Sequence, residues 1–138
     1  MNEKGHRKKR ALDLFSGTQS MADAMRYIGY EVTTVDSDES TQPDICEDVL
    51  NWDFHAFRPG TFDVIFACVP CKEYGRAMTT RVRDLLLADL VVYRALKIIQ
   101  YLQPRLWFLE NPRQGELRNR SFMQGCLWID VDYCQFSD

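Results

Sequence analysis

Two cysteines, Cys68 and Cys71, stand three positions apart in the segment FDVIFACVPCKEYG at residues 62 to 75. A thiol pair at this spacing could act as a redox couple, supply half of a metal site, or contain a single nucleophile. A thioredoxin-like redox pair stands at a helix N-terminus early in its fold, whereas this pair follows a late apolar run. The position therefore favours a nucleophile over a redox couple.

A zinc site is disfavoured by the spacing of the remaining ligands. Structural zinc needs a second, closely spaced pair of thiols or imidazoles. The other candidates are Cys126 and Cys134, which lack tight spacing, and the histidines His6 and His55, which lie elsewhere. We therefore expect no metal site.

Of the two thiols, Cys71 has the better surroundings for chemistry. It follows Pro70 at the carboxyl end of the apolar run, and the loop after it contains Arg76. Nearby positive charge lowers a thiol pKa from its ordinary value of ~8.5 and produces a useful nucleophile. An inert buried cysteine is the alternative for Cys71, and Cys68 is interpreted as a small packed residue.

Further polar groups follow other apolar runs. LWFLENP contains Glu110 and Asn111 at the end of its apolar run, and a carboxylate so placed either caps a loop or meets a ligand.

DLFSGTQS places Gly17 in a strand-to-helix turn whose N–H groups can point at a ligand. Asp36 follows about 20 residues later, where an acidic side chain accepts hydrogen bonds from ribose hydroxyls. Together, Gly17 and Asp36 favour a cofactor that contains adenosine.

Alternating strands and helices must position these residues. We predict strands at 11–15, 30–36, 61–69, 105–111 and 128–136, a very short strand within PDICED, and helices at about 18–29 and 82–102. Near-continuous apolar strands alternating with helices indicate an α/β fold, with a mostly parallel sheet and helices on both faces. Because ligands of such sheets bind beyond the carboxyl ends of the strands, the polar groups should share one rim.

Composition indicates one ordinary globular domain. The chain has 138 residues, of which 46% are hydrophobic and 27% charged, with a net charge of −3. KGHRKKR predicts a flexible basic tail at residues 1–10, followed by a single domain at 11–138. An odd set of five cysteines without a signal peptide or membrane span predicts a soluble protein in a reducing, intracellular compartment.

The ordered motifs DLFSG, VTTVD, PDI, FDVIFACVPC and FLENP resemble those of the DNA cytosine-5 methyltransferases, from about residue 10 to residue 136. The resemblance implies a Rossmann-like fold that binds S-adenosylmethionine. It also implies a DNA substrate. The implied cofactor residues are Phe15, Ser16, Gly17, Asp36, Asp44, Ile45 and Pro70, with Asp36 at the ribose and Asp44 and Ile45 at the adenine.

The same resemblance implies the chemistry at the end of the third long strand. Cys71 would attack C6 of a cytosine, and Glu110 would hydrogen-bond N3 while C5 takes the methyl group. Asn111 and Arg76 would contact the substrate.

The sequence departs from the family at three points. Gln19 replaces a glycine of the cofactor turn, and Val69 replaces a proline before Pro70. A bulky residue at position 19 is expected to resist a positive φ. No arginine-bearing strand or target-recognition region is present, so we expect the last sheet strand to be missing and a second chain to supply recognition.

Three interpretations compete. In the first, the chain is a short or split cytosine-5 methyltransferase. In the second, it is a degenerate relative or fragment that binds cofactor or a partner without methylating. In the third, it is a methyltransferase fold that acts on RNA or another substrate, or a thiol protein that uses the Cys68 and Cys71 pair.

Overall fold

A computed structural model describes residues 7–75 and 82–132 of the chain. Its elements in chain order are β1 (Arg10–Leu14), α1 (Ser20–Tyr27), β2 (Glu31–Asp36), β3 (Ile45–Cys46), β4 (Val64–Cys68), α2 (Leu85–Leu102) and β5 (Leu106–Glu110). Short 3-10 turns lie at Glu39–Thr41, Phe54–Ala56, Glu116–Asn119 and Ser121–Met123.

The strands form one parallel sheet in the order β3-β2-β1-β4-β5. The chain winds outward from β1 to β3 and then crosses back to β4, which pairs with β1 on its other side. The strand order therefore reverses beside β1, and a ligand cleft is expected there, beyond the carboxyl ends of the strands. The predicted Rossmann-like α/β fold is confirmed.

The two helices cover opposite faces of the sheet because strand side chains alternate. Leu12 and Leu14 of β1 belong to the larger core, together with Val92 and Ile98 of α2. Ala11, which precedes Leu12 and points to the opposite face of the sheet, packs in a smaller cluster with Met25 of α1 and Val64 of β4. Helices on both faces are thus observed, as the apolar strands predicted.

Both helices are shorter than the sequence suggested. The side chain of Asp84 accepts a hydrogen bond from Leu87 N at 2.9 Å, and α2 begins at Leu85 instead of Val82. Helix α1 ends at Tyr27, shortly before Gly29, whose φ of 95° suits a helix stop.

The strand predicted at 128–136 is absent from its described part, residues 128–132. That segment is held by side chains instead: Asp130 pairs with Arg113 and Arg118, and the Arg118 guanidinium lies 5.9 Å from the centre of the Trp128 ring. Residues 133–136 lie outside the described residues. Within the described ranges, β5 is therefore an edge strand, and its central Phe108 is 50% exposed.

The basic N-terminal segment contacts the domain as far as it is described. Arg7 forms two hydrogen bonds with the Asp63 carboxylate, at 2.7 and 3.1 Å, and Arg10 already belongs to β1. The tail expectation therefore applies to residues 1–6, which lie outside the described residues. No helix in the described ranges has both the length and the apolar character needed to cross a membrane.

Candidate active site

The carboxyl ends of the strands bring the predicted polar residues to one rim. The segment that starts at Phe15 follows β1, Asp36 ends β2, Cys71 follows β4 and Glu110 ends β5. All five strands run parallel, so these positions share the same edge of the sheet. The single rim inferred from the strand pattern is therefore present.

The turn after β1 is built around the carboxylate of Asp36. Gly17 N donates to Asp36 Oδ2 at 2.8 Å, and Asp38 N donates to Asp36 Oδ1 at 2.8 Å. Phe15 and Ser16 both donate their N–H groups to Val35 O, at 2.9 and 3.2 Å. Asp36 therefore fixes the turn, and its oxygens retain lone pairs for ligand hydroxyl groups.

Gln19 adopts a positive φ, a conformation that glycine favours and that its bulky side chain was expected to disfavour. Its φ is 63°, in the left-handed region. The side chain lies against the loop after β2, where Nε2 donates to Thr41 O at 2.7 Å and to Gln42 O at 2.9 Å. These hydrogen bonds offset the backbone strain, about 1–2 kcal/mol for a residue in this region. Gln19 therefore ties the turn to the neighbouring loop.

Beneath the turn lies a buried acid, Asp13 of β1. Its side chain is 1% exposed, and Oδ2 has no hydrogen-bond partner among the described residues. Burial raises the pKa of Asp13 from 3.8 to about 6, opposed by the backbone N–H of Ala22 and the charge of Arg26, and helped by Asp36. Burial is the largest of these effects and raises the pKa, so Asp13 holds its proton more tightly than an exposed carboxyl does.

A cavity of about 390 Å³ opens at the rim beside the turn. Apolar walls come from Phe15, Val49 and Pro70, and carboxylates come from Asp36 and Asp48. Its remaining lining residues are Ser37, Leu50, Lys72, Glu73, Leu87, Ala88 and Val91. An apolar slot of this size with a few polar groups is typical of a small-molecule site.

Asp44 and Ile45, predicted to border the adenine, do not line this cavity. Asp44 precedes β3, and its Oδ2 accepts from Thr34 N and Thr34 Oγ1 at 2.8 and 2.9 Å. Asp44 therefore joins the start of β3 to β2 and serves the sheet. The contact of Asp44 and Ile45 with the adenine stays a prediction.

Asp48 is a cavity residue that the sequence analysis did not single out. It follows the carboxyl end of β3, and its Oδ1 accepts from Leu50 N at 2.9 Å while the residue lines the cavity. The available signal was the shortness of β3, Ile45–Cys46, which moves the strand's carboxyl end past Ile45. Locating that strand within PDICED would have pointed to Asp48.

Arg94 of α2 holds the cavity wall that contains Val49. Its guanidinium donates to Val49 O at 3.0 Å and to Trp52 O at 2.8 Å. The same group lies 4.8 Å from the centre of the Phe54 ring. The packed helix thus fixes a segment that is otherwise a loop.

The Pro70-Cys71 loop leaves the thiol exposed and the backbone anchored. Cys71 is a free, exposed cysteine, and its carbonyl accepts from Tyr74 N at 3.1 Å and Gly75 N at 2.9 Å. Val69, at the position of the family's proline, is 2% exposed, and its carbonyl accepts from Asn111 Nδ2 at 3.3 Å. Asn111 thereby joins the ends of β4 and β5, a role that the sequence did not predict.

Tyr74 anchors the far side of this loop and was missed in the sequence. The ring is fully buried, and its hydroxyl donates to Asp89 Oδ1 at 2.8 Å. Arg120 Nε also donates to both Asp89 oxygens, at 3.0 and 3.2 Å. Burial first, and then the Asp89 carboxylate, raise the pKa of Tyr74 well above its usual value, so the phenol stays a donor.

Glu110 accepts a hydrogen bond from Cys68, the other cysteine of the pair. Cys68 Sγ donates to Glu110 Oε2 at 2.9 Å, and the two residues are direct partners in the β4–β5 register. Shielding from water first, and then the Glu110 carboxylate, raise the pKa of the Cys68 thiol to about 12. Cys68 is exposed, so its interpretation as a small packed residue is wrong.

Two further predictions concern the substrate and metals. Arg76, predicted to contact the substrate, lies outside the described residues. Among residues 7–75 and 82–132, no cluster of three or more acidic, histidine or cysteine side chains could hold a metal ion.

The strand order and the rim beyond the carboxyl ends of the strands define a Rossmann-like α/β domain. No protein-family model matches the chain. One relative, a "Probable DNA (cytosine-5)-methyltransferase" from Frog virus 3 (isolate Goorha), is 35% identical over 143 aligned residues. The alignment covers 94% of this chain and 64% of the relative. The resemblance to DNA cytosine-5 methyltransferases is therefore confirmed along nearly the whole chain, which spans somewhat less than two thirds of that relative.

A solved structure, the plantazolicin methyltransferase BpumL in complex with SAH, is also similar. It is 17% identical, with a TM-score of 0.44, and the match covers 77% of this chain and 40% of BpumL.

Proposed function

We propose that this chain binds S-adenosylmethionine in the 390 Å³ cavity and carries the catalytic residues of a DNA cytosine-5 methyltransferase. The observation that carries the proposal is the shared rim. The cavity beside Asp36, the Cys71 thiol and the Glu110 carboxylate all lie at one edge of a parallel sheet, in a chain 35% identical to a relative with that name.

The cavity suits an adenosine-containing cofactor. Phe15, Val49 and Pro70 provide apolar surface for a flat base, and Asp36 and Asp48 provide acceptors for ribose hydroxyls and an exocyclic amine. Gly17 N donates to Asp36 Oδ2 and so holds that carboxylate beside the cavity. S-adenosylmethionine, once bound, supplies an electrophilic methyl group.

Cys71 would act as the nucleophile. Its thiolate forms an S–C6 bond with a cytosine, and the electron pair of the C5=C6 bond moves toward C5 and N3. C5 would then take the methyl group that bound S-adenosylmethionine supplies, with S-adenosylhomocysteine as the leaving group. Loss of the C5 proton to a base would let the S–C6 bond break, which restores the double bond and the Cys71 thiolate. A covalent adduct activates a carbon that is otherwise a poor nucleophile.

Glu110, once protonated, would donate a hydrogen bond to N3 and so stabilise the charge that develops on the ring. Tyr74 and Asn111 would keep the Cys71 loop in place, since they anchor the backbone on both sides of it. A preorganised loop lowers the entropic cost of bringing the thiol to C6.

DNA is the proposed substrate, and a second chain or further segment would read the target sequence. A cytosine in a duplex must be flipped out of the stack at a cost of a few kcal/mol. In this proposal, the energy for flipping comes from DNA contacts outside the described rim.

Transfer of a labelled methyl group from S-adenosylmethionine to DNA tests the proposal, with digestion of the product to identify 5-methylcytosine. We expect transfer by the chain, with a partner chain added if needed, and loss of transfer in Cys71→Ser. Cys46→Ser is the matched control, because Cys46 is also an exposed free thiol and does not line the cavity. Transfer that survives Cys71→Ser would contradict the covalent step. Cofactor binding without any transfer would favour a binding protein.

A further inference from the structure

The two cysteines of the CVPC segment differ in what they contact. Cys68 Sγ lies 2.9 Å from Glu110 Oε2, whereas Cys71 is held only through its backbone carbonyl among the described residues. The β4–β5 register places Cys68 directly opposite Glu110. The contact is therefore fixed by the sheet and does not depend on a loop conformation.

The ionisation of the pair follows from its chemistry. The thiol is the donor in this pair, and Glu110 Oε2 accepts its hydrogen bond. A thiolate at this position would face Glu110, with Asp13 and Cys71 also adding unfavourable charge. The Cys68 thiol consequently stays protonated, in agreement with its raised pKa.

We propose that Cys68 is a positioning residue for Glu110, a role that rests on the proposed function. Its thiol holds Oε2, while Oε1 has no hydrogen bond from any described residue and remains available to the base. Glu110 has three rotatable side-chain bonds at an edge strand, so a fixed oxygen restricts the carboxylate to one orientation. The CVPC pair thus combines one nucleophile with one donor and is not a redox couple.

Thiol reactivity tests the pairing without any methyl transfer. Native protein is alkylated with iodoacetamide at pH 8, and fragment-ion mass spectrometry locates the label on each cysteine. Cys68 and Cys71 are both exposed, so iodoacetamide can reach both side chains. We expect Cys68 to react at least about tenfold more slowly than Cys71, because only the thiolate attacks.

Glu110→Gln is the decisive variant for the pairing. Removing the carboxylate charge should lower the pKa of Cys68 and speed its alkylation by about tenfold for each pKa unit recovered. Cys46, an exposed thiol on β3, is the internal control and should not change its rate. An unchanged Cys68 rate in Glu110→Gln, with the fold intact by circular dichroism, would overturn the proposal.

Activity variants test the positioning role. Cys68→Ala should lower kcat about tenfold with little change in the KM for DNA, because a lost orientation acts on the chemical step. Cys68→Ser keeps a donor and should restore most of kcat, which a purely structural role would not predict. Wild-type kcat in Cys68→Ala would refute the role.

The methyl-transfer and alkylation experiments test the two proposals separately. If no methyl transfer occurs at all, the proposed function fails, and alkylation still shows whether the thiol holds Glu110. If transfer occurs and Glu110→Gln leaves Cys68 alkylation unchanged, only the positioning inference fails.

Discussion

Replacing Asp13 with asparagine should stabilise the protein near neutral pH. Asp13 is 1% exposed, and burial raises its pKa from 3.8 to about 6. The shift of about two pKa units, at 1.36 kcal/mol each, corresponds to about 3 kcal/mol of lost stability once the group ionises. Asparagine carries no charge and keeps an oxygen that can accept from the Ala22 N–H.

The direction in which stability changes with pH follows from proton binding to Asp13. Between pH 4 and pH 6 the folded protein holds the Asp13 proton and the unfolded chain releases it, because the folded pKa is the higher one. The free energy of unfolding therefore falls as pH rises through this window and stays low above it. Asp13→Asn lacks this loss, so its advantage should be near zero at pH 4 and about 2–3 kcal/mol at pH 7.

Urea unfolding at pH 4, 5, 6 and 7 measures the effect, with the difference between variant and wild type taken at each pH. Asp53→Asn is the control, since the Asp53 side chain is 79% exposed and also accepts from a nearby backbone N–H. A constant difference between Asp13→Asn and wild type across this range would refute the argument from burial. So would a variant that is less stable than wild type at pH 7.

Three further substitutions have expected outcomes. Tyr74→Phe should lower the free energy of unfolding by about 1–2 kcal/mol in urea, because Asp89 loses one hydrogen bond but keeps Arg120; an unchanged midpoint would contradict the anchoring role. Gln19→Gly should be about 1 kcal/mol more stable than Gln19→Ala in the same assay, since φ at this position is 63°; equal stability would remove the strain argument. Arg94→Lys should speed hydrogen exchange at residues 49–52, because lysine cannot reach both carbonyls with a rigid fork; exchange at the wild-type rate would show that α2 does not hold this wall.

Much of the fold could be predicted because the strands have strong local signals. The apolar run that contains Val64–Cys68 is rich in β-branched and aromatic residues, and a parallel arrangement follows from strands that alternate with helices. Once the sheet is parallel, the shared rim follows without further information. That rule placed Cys71 and Glu110 at one edge from sequence alone.

The cavity residue Asp48 could not be predicted because β3 is only two residues long. Such a strand has no periodicity, so nothing local shows where its carboxyl end lies. The role of Asp44 is set by Thr34, ten positions earlier on the neighbouring strand, and is visible only after pairing.

The roles of Cys68 and Tyr74 depend on contacts far apart in the chain. Cys68 meets Glu110 across strand register, 42 positions away, and Tyr74 meets Asp89 on α2. The hydrogen bonds of Gln19 reach a loop more than 20 positions later, which is why its sequence suggested only strain. Single-sequence patterns carry no information on such pairings.

Calorimetric titration with S-adenosylhomocysteine tests the central claim most directly. The account predicts that the wild-type chain binds, that Asp48→Ala binds at least about tenfold more weakly because a cavity acceptor is lost, and that the exposed control Asp53→Ala binds like wild type. A folded wild-type chain that gives no binding heat and no thermal stabilisation would contradict the cofactor cleft. Binding that is unaffected by Asp48→Ala would contradict its location.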